Sequence, residues 1–180
     1  MAHPDRLTPL VLEDLMGADV RPPKNTERPE VDPLVDADAM EEAQLLDVRI
    51  DALRRTVGLL FELRVAMNLR HSDVAVVIAH GVRDFAFEPH RWYPKLTAWS
   101  VGIWTPSASN EYFNLEFGMD PDADCRLVAD RACFYGVEVP GLPANPPDYT
   151  TYDDDLIRSG LPSWQSQFTL VNATTFEGAQ

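Results

Sequence analysis

The sequence predicts an α+β domain: one long N-terminal helix packed on an antiparallel sheet of about five or six strands, with a proline-rich arm and a proline-rich wrap. Three observations predict it. Residues 45–67 repeat apolar side chains at helical spacing. Residues 74–79 form a continuous apolar run that reads as a central strand covered on both faces. Beyond it, several stretches alternate apolar and polar residues, and the turn-rich segments joining them are too short for helical crossovers.

Residues 1–37 carry Pro4, Pro9, Pro22, Pro23, Pro29 and Pro33, each of which removes a backbone donor and biases its predecessor toward extended conformations. They read as an extended arm, with one short helical turn at Leu10–Met16. Leu7, Leu10, Val11, Leu12 and Leu15 form an apolar cluster that a free tail does not need, so the arm is expected to drape over the single domain formed by residues 38–180.

Asp38-Ala-Met-Glu41 resembles a capping box, and the helix is expected to run from there to about Leu69. At about 100° per residue, Leu46, Ile50, Leu53, Val57, Leu60 and Met67 share one buried direction. Asp47, Asp51, Arg54, Arg55 and Glu62 line the wetter side, where Asp51 and Arg55 stand four residues apart and can pair. Arg64 lands in the middle of the apolar direction and Arg49 near its edge. A buried guanidinium without a partner is too costly, so each is expected to meet a carboxylate or to reach an edge. The alternative use of Arg64 is as an anion anchor in a cleft.

Phe85 and Phe87, then Trp99, Val101 and Ile103, then Phe113, Leu115 and Phe117 each mark the core face of a strand. Residues 125–139 form a longer strand in which Arg131 intrudes on the apolar side, so a bulge or break is expected near Asp130. Residues 140–163, with Pro140, Pro143, Pro146, Pro147 and Pro162, form the wrap, and Gln167–Val171 adds a last strand.

The net charge is −14 and is unevenly spread: −7 over residues 1–50, +2 over residues 51–100 and −9 over residues 101–180. Such a field repels phosphate backbones and anionic membrane surfaces and attracts basic proteins. Neither nucleic acid nor a membrane is an expected partner. No apolar run approaches a membrane span, and Asp5, Glu13, Asp14 and Asp19 occupy the region where a signal peptide needs a basic start, which points to the cytoplasm. Cys125 and Cys133 read as two small buried thiols.

Familiar sites are absent as motifs. Asp120, Asp122 and Asp124 copy the first positions of a calcium loop, yet Cys125 stands where that loop needs glycine and Arg131 where it needs glutamate. The four histidines, His3, His71, His80 and His90, show no zinc spacing, and there is no nucleophile elbow, phosphate loop or dinucleotide fingerprint. A general base made from His80 with Asp84 or Glu88 is the one conceivable catalytic pairing. No cofactor or metal is expected.

What remains is a binding surface: Trp92, Tyr149, Tyr152 and Trp164 in or beside proline-rich loops, the acidic run Asp153, Asp154 and Asp155, and Arg64 as anchor. The reading is a non-catalytic acidic module that captures or neutralises a basic partner protein. In size, charge and general character this is similar to the immunity proteins that accompany bacterial toxins, although no family motif aligns to particular residues. The alternatives are a homo-oligomeric scaffold subunit that exchanges its arm and wrap, and a small enzyme or ligand-binding domain using Arg64 and His80.

Overall fold

The computed structural model describes residues 10–17 and 20–179. Seven antiparallel strands dominate it: β1 (Gln44–Asp51), β2 (Thr56–Glu62), β3 (Val74–Pro89), β4 (Trp99–Ala108), β5 (Phe113–Asp120), β6 (Ala123–Glu138) and β7 (Thr169–Glu177). A 3-10 turn at Leu12–Met16 and one short helix, α1 (Asp154–Ser159), complete the regular structure. The strand order is β3-β2-β1-β4-β5-β6-β7, and β3 also pairs with β6. That extra pairing closes six strands into a ring, with β7 extending it from the far half of β6. The seam between β1 and β4 is short, pairing only Gln44 with Ser100 and Leu45 with Trp99. The backbone of residues 38–43 continues it, since Ala43 accepts from Val101 and Trp104 accepts from Asp38.

The predicted α+β class is therefore wrong: no helix spans residues 38–69, which instead form the β1–β2 hairpin. The physical reason lies in burial. Val57, Leu59 and Phe61 of β2 point into the ring, while Leu60 points into a second core outside it. A strand buried on both faces loses its two-residue alternation and reads like a buried helix. In β1 a register shift between Leu45 and Asp47 breaks the alternation as well. Leu53, assigned to the buried helix direction, sits 99% exposed at the hairpin tip. Arg55 takes a left-handed conformation in that turn, and Asp51 bonds the Arg54 backbone instead of pairing with Arg55. Asp38, the supposed helix cap, is itself left-handed and faces Trp104.

The later strands follow the alternation more closely. Phe113, Leu115 and Phe117 all point inward. In β4 a register shift between Val101 and Ile103 exchanges the expected core residue, so Trp104 is fully buried and Ile103 is 63% exposed. The break expected near Asp130 is a change of face: Ala123, Cys125, Leu127 and Ala129 point inward, then Ala132 and Phe134 do. Opposite it Gly81 adopts φ +64°, and a Cβ there would collide with the Asp130 carboxylate. Strands β3 and β6 thus kink together at a place only glycine tolerates.

The kink divides the outer surface in two. Beyond it, Val74, Val76, Ile78, Cys133, Tyr135 and Val137 face outward into the second core. Leu12, Leu15 and Trp164, from the arm and the wrap, cover them. On the other side of the kink, no segment among the described residues covers the outer face of β3, β4, β5 and β6 in this way. No helix among the described residues is long and apolar enough to cross a membrane.

Candidate functional site

The uncovered half presents one acidic face. Strand alternation puts Asp84 and Glu88 of β3, Glu116 and Asp120 of β5, and Asp124 of β6 on the outside, all exposed. The register aligns Ala86, Arg126, Glu116 and Thr105 in one row, and Glu88, Asp124, Gly118 and Ile103 in the next. Arg126 is the cation among these carboxylates; its Nε donates to Asp84 Oδ2 at 2.7 Å, and that bond and charge, with Glu88 and Glu116 beyond, push its pKa up. Ala86, Gly118 and Thr105 keep the face low, around an open depression of about 430 Å³. Exposed Ile103 supplies apolar contact within it.

The loop leaving β3 is tied to the margin of this face. His90 Nε2 and Asp124 Oδ2 stand 2.8 Å apart, the His90 backbone donates to the Asp122 carbonyl, and Arg91 Nε lies 3.5 Å from Asp122 Oδ2. The hydrogen bond to Asp124 is the first cause of a His90 pKa above the usual imidazole range. Trp92 follows directly and is 84% exposed. An exposed indole therefore follows, two residues along the chain, the histidine that is tied to the acidic face.

The other predicted site residues fall elsewhere. Trp164, expected on a contact surface, is buried in the second core; a Cβ on Gly58 would meet its ring at 2.7 Å, and Arg49 lies over that ring at 5.4 Å. Arg49 also pairs with Glu13 at 2.6 Å. Arg64, proposed as an anion anchor, has a side chain only 4% exposed against a Glu62 carboxylate at 0%. Its Nε donates to Glu62 Oε1 at 2.8 Å, Nη2 to Glu62 Oε2 and the Gly160 carbonyl, and Nη1 to the Pro143 and Asn145 carbonyls. All five guanidinium N–H groups are committed, so Arg64 fastens the wrap to β2 and has none left for a ligand.

Asp153 caps α1 by accepting from the Leu156 backbone, and Asp154 and Asp155 occupy the first turn, where a helix dipole favours them. They lie in the wrap, outside the strand rows of the acidic face. Tyr152 is exposed and Tyr149 half-buried. His80 does not meet Asp84 or Glu88; its Nδ1 faces Thr56 Oγ1 at 3.2 Å, and burial first, then Arg21, lowers its pKa. Asp120, Asp122 and Asp124 edge the β5–β6 hairpin, and among the described residues no group of three or more His, Cys, Asp or Glu is placed to hold a metal.

Sequence reasoning missed a second feature. A cavity of about 360 Å³ lies between the loop of residues 89–99 and the wrap, lined by Trp92, Tyr93, Tyr149, Arg91, Lys95 and Arg158 among others. Arg91 and Lys95 share the loop of residues 89–99, but Arg158 comes from the wrap, and no local pattern brings the two segments together.

No family model matches the chain, and no curated protein matches it. Among solved structures it is similar to an uncharacterized protein from Neisseria gonorrhoeae, at 10% identity and a TM-score of 0.41, over 52% of this chain and 90% of that one. That likeness is too distant to carry an argument about fold or function.

Proposed function

We propose that the protein is an acidic binding module whose outer β3–β4–β5–β6 face captures a basic partner protein, with Trp92 as the aromatic contact at its margin. The observation that carries this reading is the division of the outer surface. Among the described residues one half is covered by the arm and the wrap, while the other half gathers five carboxylates around Arg126 on a low face, with Arg83 at its kink end paired to Asp130. Exposed carboxylates stay hydrated until contact, so the face steers an oppositely charged protein from a distance and holds it at little desolvation cost. A wide, low sheet suits another protein's surface better than a small molecule. Exposed Ile103 and Trp92 give the apolar and aromatic contacts that charge alone lacks.

The test is affinity capture with three baits: wild type, a face variant (Glu88→Gln, Glu116→Gln, Asp124→Asn) and an acidic control in the wrap (Asp154→Asn, Asp155→Asn). The reading expects a basic protein held by wild type and control, released by moderate salt and absent from the face variant. If every captured protein stays with the face variant, or those it loses are acidic, the reading fails.

A further inference from the structure

The cavity beside Trp92 has the opposite character to the rest of the chain. In a protein of net charge −14, no Asp or Glu among the described residues lines it, while Arg91, Lys95 and Arg158 all do. Arg91 reaches Asp122 at 3.5 Å, a long contact between exposed groups. Lys95 and Arg158 make no ion pair among the described residues. Three cations sharing one cavity repel one another, and an anion between them relieves that repulsion.

The rest of the lining is aromatic. Tyr93 meets Trp99 edge to face at 5.5 Å, and Trp99 meets Phe87 in the same way at 5.9 Å, so this wall is anchored to the ring's own core. Trp92 contributes an indole with most of its surface bare. Tyr149 closes the far side, held by the segment that Arg64 fastens to β2. Burial first, then the nearby Glu62, pushes the Tyr149 hydroxyl up to about 12, so at neutral pH it keeps its proton and is a donor. Arg158 stands close enough to that hydroxyl to act on its titration.

We propose that this cavity binds a small aromatic carboxylate: the carboxylate faces Arg158, Lys95 and the Tyr149 hydroxyl, and the ring lies against Trp92 and Tyr93. A guanidinium fork matches a carboxylate in two parallel hydrogen bonds, an aromatic ring stacks on a bare indole, and about 360 Å³ is the small end of ligand-cavity volumes, with room for one or two fused rings. The site shares Trp92 with the margin of the acidic face but draws on the opposite charge, so an anionic probe tests it apart from a cationic partner.

The test titrates the full chain with 2-naphthoate and with its neutral counterpart 2-naphthalenemethanol, followed by calorimetry and by amide and indole NMR shifts. For about thirteen non-hydrogen atoms, ordinary ligand efficiency gives a Kd of about 1 mM or tighter for naphthoate, with shifts centred on Trp92, Tyr93 and Tyr149. The neutral alcohol is expected to bind about tenfold or more weakly, and 0.5 M salt to remove most of that difference. Arg158→Met and Lys95→Met, both at exposed side chains, should each weaken naphthoate about threefold or more and leave the alcohol unchanged. Equal affinity for the two probes, absence of saturation by 10 mM, or folded variants that bind naphthoate like wild type would each overturn the proposal. Should a variant melt early, the two probes on wild type at low and high salt still decide it.

Discussion

Replacing Arg64 with leucine removes one half of a buried pair whose other half, Glu62, is fully enclosed. The carboxylate then stays in a dry site without a counter-charge, and breaking a buried pair from one side costs about 3–5 kcal/mol. The Pro143, Asn145 and Gly160 carbonyls also lose a donor; the first two belong to exposed residues and turn to water, while the half-buried Gly160 carbonyl adds to the loss. Against a typical stability of about 5–15 kcal/mol this is a large fraction, and at about 2–4 °C per kcal/mol it lowers Tm by about 6–20 °C. Removing both partners in Glu62→Leu, Arg64→Leu eliminates the stranded charge and should return most of the loss. Urea denaturation with calorimetry measures all three proteins. A single variant within about 1 kcal/mol of wild type, or a double variant at least as unstable as the single, would refute the view of Arg64 as the wrap's internal fastener.

The remaining predictions concern the histidines, the cysteines and one glycine. Imidazole NMR should place His90 above and His80 below the ordinary value of 6.5. His90, raised by Asp124, stabilises the fold below the unfolded value and loses that contribution as pH rises through its folded pKa; His80, lowered by burial, withdraws stability as pH falls below the unfolded value. A His90→Asn variant should therefore keep only the second effect, and an unchanged stability profile would count against the His90 contact with Asp124. Both thiols are buried, and burial pushes Cys125 up to about 12, so neither should react with a thiol reagent in the native protein, while both react in denaturant. Gly58→Ala should cost about 1–3 kcal/mol, because its Cβ would lie 2.7 Å from the rigid Trp164 ring. A neutral effect there would mean that Trp164 does not rest on β2.

How legible the molecule is from its sequence depends on whether a strand keeps one wet face. Strand β5 does, and Phe113, Leu115 and Phe117 announce its core side while Glu116 marks the other. Strand β2 does not, because the ring lies on one side of it and Trp164 on the other, so Thr56–Glu62 carries no alternation to distinguish it from helix. Register shifts defeat pattern reading locally: one residue of slip in β4 turns Ile103 outward and Trp104 inward. The buried arginine's need of a carboxylate was deducible from desolvation cost alone, and Glu62, two residues earlier at the end of β2, satisfies it. Ring closure was not deducible, since it rests on β3 pairing with β6 from Val74↔Val137 to Pro89↔Ala123, which no short-range signal records. The acidic face inherits that limit: its carboxylates were visible one strand at a time, but not as neighbours.

The bare half of the ring is proposed as the place where this protein receives positive charge. Chemical-shift mapping of the full chain with a hexalysine peptide tests it without a partner in hand. Salt-sensitive shifts are expected on the rows of Glu88, Asp124 and Glu116 and at the Trp92 indole, and their loss is expected in the face variant. Shifts spread evenly over all acidic segments, or centred on Asp32, Asp36, Glu41 and Glu42, would contradict it.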